Sequence, residues 1–217
     1  MSALKVNAKP QTREFKKRFE SALVWIESMK DLGGITQFTL GVEKDSVKGA
    51  EWITKSAQQG YATAQFNLGR CYQDGEGVEQ DMKKAVEWYK RAALQGNSCA
   101  QNNLGLCYQR GEGVRKNYKK AEEWYMKAAE QGADCAQYHL AQCYANGLGV
   151  KKDLKTAVEW YAKAAKQGHI GAQFKLGKCY RDGKGVEKDL TKAVKWFSKS
   201  AKQGEPSAQF YMGVCYE

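Results

Sequence analysis

Proline is scarce in this sequence. Pro10 and Pro206 are the only two prolines among 217 residues, where average usage of about 5% would give roughly eleven. Because proline breaks helix interiors, the scarcity favours long stretches of helix.

Long hydrophobic segments are missing as well. No stretch approaches the roughly 20 apolar residues of a membrane span, and no apolar segment precedes the charged run at 13–18, so no signal peptide is predicted. The chain also lacks an Asn-x-Ser/Thr sequon. We therefore expect a cytoplasmic protein, with a secreted effector or a piece of a longer protein as the alternatives left open.

The overall composition is that of a folded protein. Hydrophobic residues make up 42% and charged residues 27% of the chain, a balance typical of soluble globular domains and not of disordered ones. The net charge is +11, from 35 basic and 24 acidic residues. This excess raises the question of an anionic partner.

A 36-residue period runs through most of the chain. The dipeptide Ala-Gln recurs at this spacing, and so do a Cys-Tyr dipeptide and five of the six tryptophans. The cysteines of this period are Cys71, Cys107, Cys143, Cys179 and Cys215. Repetition at such a period is the signature of a stacked repeat architecture.

The first half of each unit predicts a helix, which we call helix A. In the unit 61–96, Ala64, Leu68 and Cys71 are spaced as one helical stripe over residues 61–74. Gly75 is expected to end this helix in a left-handed conformation. Glycines also occur inside helix A, where they cost about 1 kcal/mol each, so close helix packing is expected there (Gly69, Gly105, Gly177 and Gly213).

The second half of each unit predicts helix B. Asp81 is a natural N-cap, and its equivalents are Asp45, Asn117, Asp153 and Asp189. The apolar face of helix B carries Ala85, Trp88, Tyr89, Ala92 and Ala93. The helix is expected to end at Gly96. One such hairpin cannot cover its own apolar face, but stacked neighbours can, so we predict an all-α fold, an α-solenoid of antiparallel helix pairs.

The repeated pattern resembles a known family. Ala-Gln-x-x-Leu-Gly-x-Cys-Tyr, two loop glycines, and Lys-Ala-x-x-Trp-Tyr-x-x-Ala-Ala-x-Gln-Gly are similar to the Sel-1-like repeat, a relative of the tetratricopeptide repeat. The resemblance covers about residues 41–217. It implies a right-handed superhelix whose A helices line the concave side, and a role as a protein-binding adaptor.

The period divides the chain into units. Residues 13–60 fit either a degenerate first repeat or a separate N-terminal cap, and the two alternatives stay open. The last unit keeps helix A only, so no helix B covers its apolar stripe. Three interpretations stay open: the stripe contacts a partner, it mediates end-to-end self-association, or the sequence is a fragment of a longer protein. The expected division begins with a flexible N-terminus at 1–12 and the degenerate repeat or cap at 13–60. Four repeats follow at 61–96, 97–132, 133–168 and 169–204, and residues 205–217 form helix A of a truncated repeat.

The cysteines are predicted to be free. Equivalent positions in stacked repeats lie about 10 Å apart, beyond the roughly 7 Å between Cα atoms that a disulfide allows. We therefore expect buried thiols that pack as small hydrophobes. The resemblance includes a subgroup with one disulfide per repeat, but Ala93 and Gln101 occupy those positions here. The odd number of cysteines, seven in all, fits a reducing compartment.

No motif for catalysis, metal or cofactor binding is present. The two histidines, His139 and His169, lie in different units, and no Cys-x-x-Cys or His-Glu-x-x-His occurs. The loop glycines lack the third glycine of a dinucleotide site, and Gly-x-Ser-x-Gly is absent. We expect a protein that is not an enzyme and holds neither cofactor nor metal.

The positive charge is concentrated in one repeat. Residues 61–96 carry five basic and five acidic groups, whereas residues 169–204 carry nine basic and three acidic groups. One interpretation is that this basic repeat binds an acidic peptide, a phosphate group or nucleic acid. The alternative is a solvated helix face without a partner.

The candidate binding residues are those that differ between repeats. Repeated residues serve stacking, whereas varied residues on helix A can serve one particular ligand. Aromatic, amide and cationic side chains together suit a peptide. The expected function is a scaffold that binds protein or peptide, with a nucleic-acid or anionic-surface binder as the alternative. The predicted binding residues are Thr63, Phe66, Arg70, Gln73, Asn102, Leu106, Gln109, Tyr138, Gln142, Phe174, Lys178, Arg181 and Phe210, with Asn67, Asn103, His139, Lys175 and Tyr211 as neighbouring candidates.

Overall fold

The structure, a computed structural model, describes residues 46–215. Within this range the chain forms ten α-helices and no strand. None of these helices is long and apolar enough to cross a membrane. The helices are α1 (Ser46–Gln58), α2 (Ala62–Asp74), α3 (Met82–Leu94), α4 (Ser98–Arg110), α5 (Tyr118–Glu130), α6 (Asp134–Asn146), α7 (Leu154–Lys166), α8 (Ile170–Asp182), α9 (Leu190–Lys202) and α10 (Pro206–Cys215).

The helices form a linear stack of hairpins. Even-numbered helices from α2 onward are the A helices and odd-numbered ones are the B helices, and each set starts again every 36 residues. Each helix packs mainly against the helices that precede and follow it in the chain. The prediction of an all-α helical repeat fold is confirmed.

The helix ends follow from the capping residues. Gly75 ends α2 with φ +73°, and its N–H donates to the carbonyl of Cys71. Asp81 begins α3, and its carboxylate accepts hydrogen bonds from the amides of Lys83 and Lys84. Both predictions are confirmed, and Asn117, Asp153 and Asp189 cap their helices in the same way.

The C-terminus of α3 shows a small difference from the prediction. The helix ends at Leu94, and Gln95 is the C-cap. Gly96 follows in the left-handed region at φ +88°, and the amide of Asn97 donates to the carbonyl of Ala92 at 3.1 Å. This arrangement is a Schellman motif, which places the glycine one residue after the cap.

Glycines inside the A helices permit close contact with helix B. A Cβ atom on Gly69 would lie 2.6 Å from the ring of Tyr89, and one on Gly105 would lie 2.6 Å from the ring of Tyr125. The predicted close packing is confirmed at these positions and at Gly177. Stacking therefore compensates the helix propensity that glycine lacks.

A ladder of glutamines joins three helices in each repeat. The buried side chain of Gln101 on α4 donates to the carbonyl of Ala93 on the preceding helix B at 3.1 Å. Its oxygen accepts a hydrogen bond of 2.7 Å from Gln131, which follows α5. Gln65, Gln137 and Gln173 make the same two bonds. The ladder satisfies polar groups that would otherwise be buried without partners.

Three of the repeated cysteines contribute to the core as expected. Six cysteines are free thiols, and two of these, Cys99 and Cys135, are exposed. Cys71, Cys107 and Cys143 are buried, which confirms the prediction for these three, whereas Cys179 is half-buried. Their contribution is the packing of a small apolar group.

Some predictions fall outside the described residues. The flexible segment 1–12 and the first part of 13–60 are among them, as is the cap Asp45, so the choice between degenerate repeat and separate cap is untested. Helix α1 occupies the position of a helix B within 13–60. Helix α10 occupies the predicted helix A of 205–217, apart from residues 216–217.

Candidate functional site

The candidate site is a strip of side chains on the A helices, which we call the helix A strip. It consists of the thirteen predicted binding residues together with Asn67, Asn103, His139, Lys175 and Tyr211. All of these except Asn102 lie at least partly exposed, whereas the repeated positions Ala64, Leu68 and Cys71 are buried in the core. Its location on the concave side of the superhelix stays a prediction.

The strip residues differ in exposure. Thr63, Arg70 and Phe210 are exposed, and Phe210 reaches 68% of its full accessible surface. Asn102 is the exception, because it is buried at 9%. The half-buried residues are Phe66, Gln73, Leu106, Gln109, Tyr138, Gln142, Phe174, Lys178 and Arg181.

Two predicted binding residues have a structural role. The hydroxyl of Tyr89 on α3 donates to Gln73 at 2.8 Å, and the hydroxyl of Tyr125 on α5 donates to Gln109 at 2.7 Å. These bonds satisfy tyrosines whose rings are fully buried. The glutamines at this position thus stabilise the hairpins α2–α3 and α4–α5 and also form one edge of the strip.

Asn102 is covered by the next repeat. The Nδ1 atom of His139 on α6 lies 2.9 Å from the Oδ1 of Asn102 on α4. The same imidazole stacks on the ring of Tyr125, with 5.1 Å between the ring centroids. Asn102 therefore contributes to the contact between two repeats and presents little surface to a ligand.

His169 lies next to the strip, and the sequence analysis did not include it among the candidate binding residues. Its ring stacks on Tyr138 with 4.5 Å between centroids, and its Nδ1 accepts the amide of Ala172 at 3.1 Å, which caps α8. The residue occupies the position equivalent to Asn97, which caps α4. That equivalence is the sequence signal by which it could have been found.

The middle of the strip is electrically neutral at physiological pH. Burial lowers the pKa of His139 from 6.5 to about 4 because a buried imidazolium loses hydration, and the neighbouring His169 and Arg110 lower it further. Burial also lowers the pKa of His169. Both imidazoles are consequently uncharged near pH 7.

The end of the strip in the repeat 169–204 is aromatic and cationic. The rings of Phe174, Phe197 and Tyr211 contact one another with centroid distances of 5.3–5.8 Å. The ammonium of Lys178 lies 5.8 Å from the Phe174 ring, and the guanidinium of Arg181 lies 4.4 Å from the Tyr211 ring. These cation–π contacts hold the two charged groups over an apolar base.

A cleft lies beside the strip near the first loops. Its volume is about 470 Å³, within the range of small-ligand and side-chain pockets. Gln73 and Leu106 of the strip line it together with Met82, Asn103 and Arg110. The lining of the cleft combines apolar side chains with amide and charged groups.

Metal-ligating side chains are not clustered in the described part of the chain. No group of three or more His, Cys, Asp or Glu side chains in residues 46–215 is arranged to hold a metal ion. Burial raises the pKa of Cys107 to about 11 and that of Cys143 to about 12, because the thiolate would be desolvated. These thiols are the reverse of activated nucleophiles.

A comparison with protein families identifies the repeat. The sequence model of the Sel1 repeat matches six consecutive segments of the chain. Together these matches cover most of residues 26–217 and follow the 36-residue period. The matched segments are 26–61, 62–97, 100–132, 136–169, 170–205 and 206–217.

Solved structures with the same architecture are known. A protective antigen present in uropathogenic Escherichia coli strains is 36% identical, with a TM-score of 0.81 over 89% of this chain. The chain spans 43% of that protein's length. A Sel1 repeat protein from Oxalobacter formigenes is 37% identical, with a TM-score of 0.79 over 85% of this chain and 76% of its own. The search of curated proteins gave no match.

Proposed function

The chain belongs to the Sel1 repeat family, and from that premise we propose that it is a non-catalytic scaffold that binds a peptide segment of a partner protein along the helix A strip. Proteins of this family are generally protein–protein interaction scaffolds and generally non-catalytic. The proposal concerns the face that binds and the form of the ligand.

One observation carries the proposal: on the A helices, the partly exposed positions of the strip differ between repeats, whereas the buried positions recur. Stacking uses residues that recur, such as the buried leucines and the glutamine ladder. One position near the middle of each helix A varies freely in chemistry and is occupied by Arg70, Leu106, Gln142 and Lys178. Residues that stacking does not fix are free to define a ligand.

The chemistry of the strip suits an extended peptide. Half-exposed rings such as Phe66 and Tyr138 supply contact area at low entropic cost. Amide side chains of the strip can pair with the N–H and C=O groups of a peptide. A surface that spans several repeats favours a ligand of similar length.

Site-specific photo-crosslinking tests this proposal. Benzoylphenylalanine would replace Arg70 or Gln142 on the strip, and Leu94 or Glu130 on the B helices in matched control proteins. We expect the strip positions to capture one common protein in cells. A segment of that protein should then bind the purified chain, and the substitutions Arg70→Ala and Gln142→Ala should weaken this binding.

The controls decide the outcome. Leu94 and Glu130 are exposed, so crosslinking there reports contacts outside the strip. If the shared partner is captured from the B helices and not from the A helices, the proposed face is wrong. If no position captures a partner in cells and the purified chain binds no protein segment, the proposed function itself is wrong.

A further inference from the structure

The cationic end of the helix A strip differs from the other repeats at three positions. Lys175, Lys178 and Arg181 follow one another at intervals of three residues on α8. The preceding repeats have only one cation in total at these positions. Their residues are Asn67, Arg70 and Gln73, then Asn103, Leu106 and Gln109, then His139, Gln142 and Ala145.

The charge of this end is only partly neutralised within the protein. Asp182 pairs with Arg181 at 2.6 Å and with Lys184 at 3.5 Å, so one carboxylate is shared by two cations. Among the described residues, no carboxylate lies within salt-bridge distance of Lys175 or Lys178. Net positive charge therefore remains at this end of the strip.

Two of the three cations lie over aromatic rings. Lys178 and Arg181 rest on Phe174 and Tyr211, and these rings pack against the buried Phe197. A side chain that is already ordered loses less entropy when it binds a ligand. The arrangement is that of a preorganised site for an anionic group, in contrast to freely moving lysines at a surface.

The surroundings distinguish between two kinds of anion. A nucleic acid requires cations along its whole backbone, but the adjoining repeat offers neutral His139, Gln142 and Ala145. The faces of Phe174 and Tyr211 are also occupied by each other and by the cations, which leaves little area for base stacking. A short acidic segment of a protein requires only a local site.

The spacing fits two carboxylates. Residues three apart on a helix rise by about 4.5 Å and residues six apart by about 9 Å. Side chains on one face of an extended peptide are about 6.7 Å apart. The spacing of two acidic residues separated by one residue thus lies between the rise that separates neighbouring cations and the rise that separates the outer two.

We infer that Lys175, Lys178 and Arg181 bind a segment of the partner that carries at least two closely spaced Asp or Glu residues, while the neutral repeats bind the rest of that segment. This inference rests on the proposed function. It specifies the chemistry of the ligand and the end of the strip at which its acidic residues bind.

The test measures binding of fluorescein-labelled hexaglutamate by fluorescence polarisation at physiological ionic strength. The variant Lys175→Asn/Lys178→Gln/Arg181→Gln introduces residues that other repeats of this chain carry at the same positions, so the fold should be retained. Circular dichroism checks this. We expect the affinity to fall at least about tenfold, since charge-assisted hydrogen bonds are lost.

The matched control removes equal charge elsewhere in the same repeat. Lys188, Lys195 and Lys202 are exposed, and changing all three to Gln should reduce affinity less than about twofold, through screened long-range attraction alone. An equal loss in the two variants would mean that hexaglutamate responds to net charge, and would overturn the inference.

Two further outcomes have defined meanings. If a uridine oligonucleotide of similar length binds more tightly than hexaglutamate and is lost in the same variant, the site is for nucleic acid and the inference is wrong. If the partner captured by photo-crosslinking binds the triple variant as well as the original chain, the inference fails while the proposed function stands.

Discussion

Acid should destabilise this protein through His139, and the effect can be calculated from the structure. The folded-state pKa of His139 is about 4 and its usual value is 6.5. Between these values the unfolded chain binds a proton that the folded chain does not, so stability is complete above about pH 6.5 and decreases as the pH falls towards 4. The full difference corresponds to about 3 kcal/mol, and about 2 kcal/mol is already lost near pH 5.

The variant His139→Asn isolates this effect. Asn67 and Asn103 occupy the equivalent positions in two other repeats, and an asparagine can still donate to Asn102. The variant keeps His169 and all carboxylates, so the two proteins differ in the titration of His139 and in its coupling to His169. The difference in unfolding free energy between the two proteins should change by about 2 kcal/mol from pH 7 to pH 5.

Two measurements check this prediction. Urea unfolding followed by circular dichroism gives the stability of each protein at each pH, and an NMR titration of the imidazole Cε1–H gives the pKa of His139 directly. A pKa near 6.5, or a stability difference that is independent of pH, would show that His139 is hydrated and would refute its burial between the repeats.

Three other predictions concern packing and reactivity. Changing Gln137 to Ala removes two ladder hydrogen bonds and should lower the free energy of unfolding, measured with urea, by about 1–3 kcal/mol. A decrease below about 0.5 kcal/mol would show that the ladder does not stabilise the fold. Gly105→Ala should cost about 1–3 kcal/mol, because the new Cβ would lie 2.6 Å from a tyrosine ring, whereas Gly213→Ala meets no atom within 4 Å and should not lower the thermal midpoint. Iodoacetamide should label exposed Cys99 well before buried Cys107. Peptide mass mapping at short reaction times measures this order, and earlier labelling of Cys107 would contradict the prediction.

The sequence predicted the repeat and its helix boundaries well because these depend on local chemistry. Helix A was expected over 61–74 and is found at Ala62–Asp74. Gly75 and Asp81 act as caps because their conformational and hydrogen-bonding preferences operate within a few residues. Local preferences of this kind can be predicted from a single sequence.

Interactions between repeats were harder to predict. The recurrence of Gln65 and its equivalents was visible, but their hydrogen bonds connect residues 8 and 30 positions apart. Asn102 was expected to face a ligand, yet His139 covers it. The exposure of Asn102 thus depends on a side chain 37 residues away in the sequence.

These contacts divide the helix A strip into two parts with different freedom to change. Gln73 and Gln109 are tied to buried tyrosine hydroxyls, so replacing them lowers stability as well as any binding. Arg70 is exposed and no contact in the core requires its charge, while the equivalent residues in the next repeats are an aliphatic, an amide and another cation. A position that stacking leaves unconstrained can change without unfolding the solenoid. Ligand preference should therefore depend strongly on the row of Arg70, Leu106, Gln142 and Lys178, whereas Gln73 and Gln109 contribute chiefly to stability.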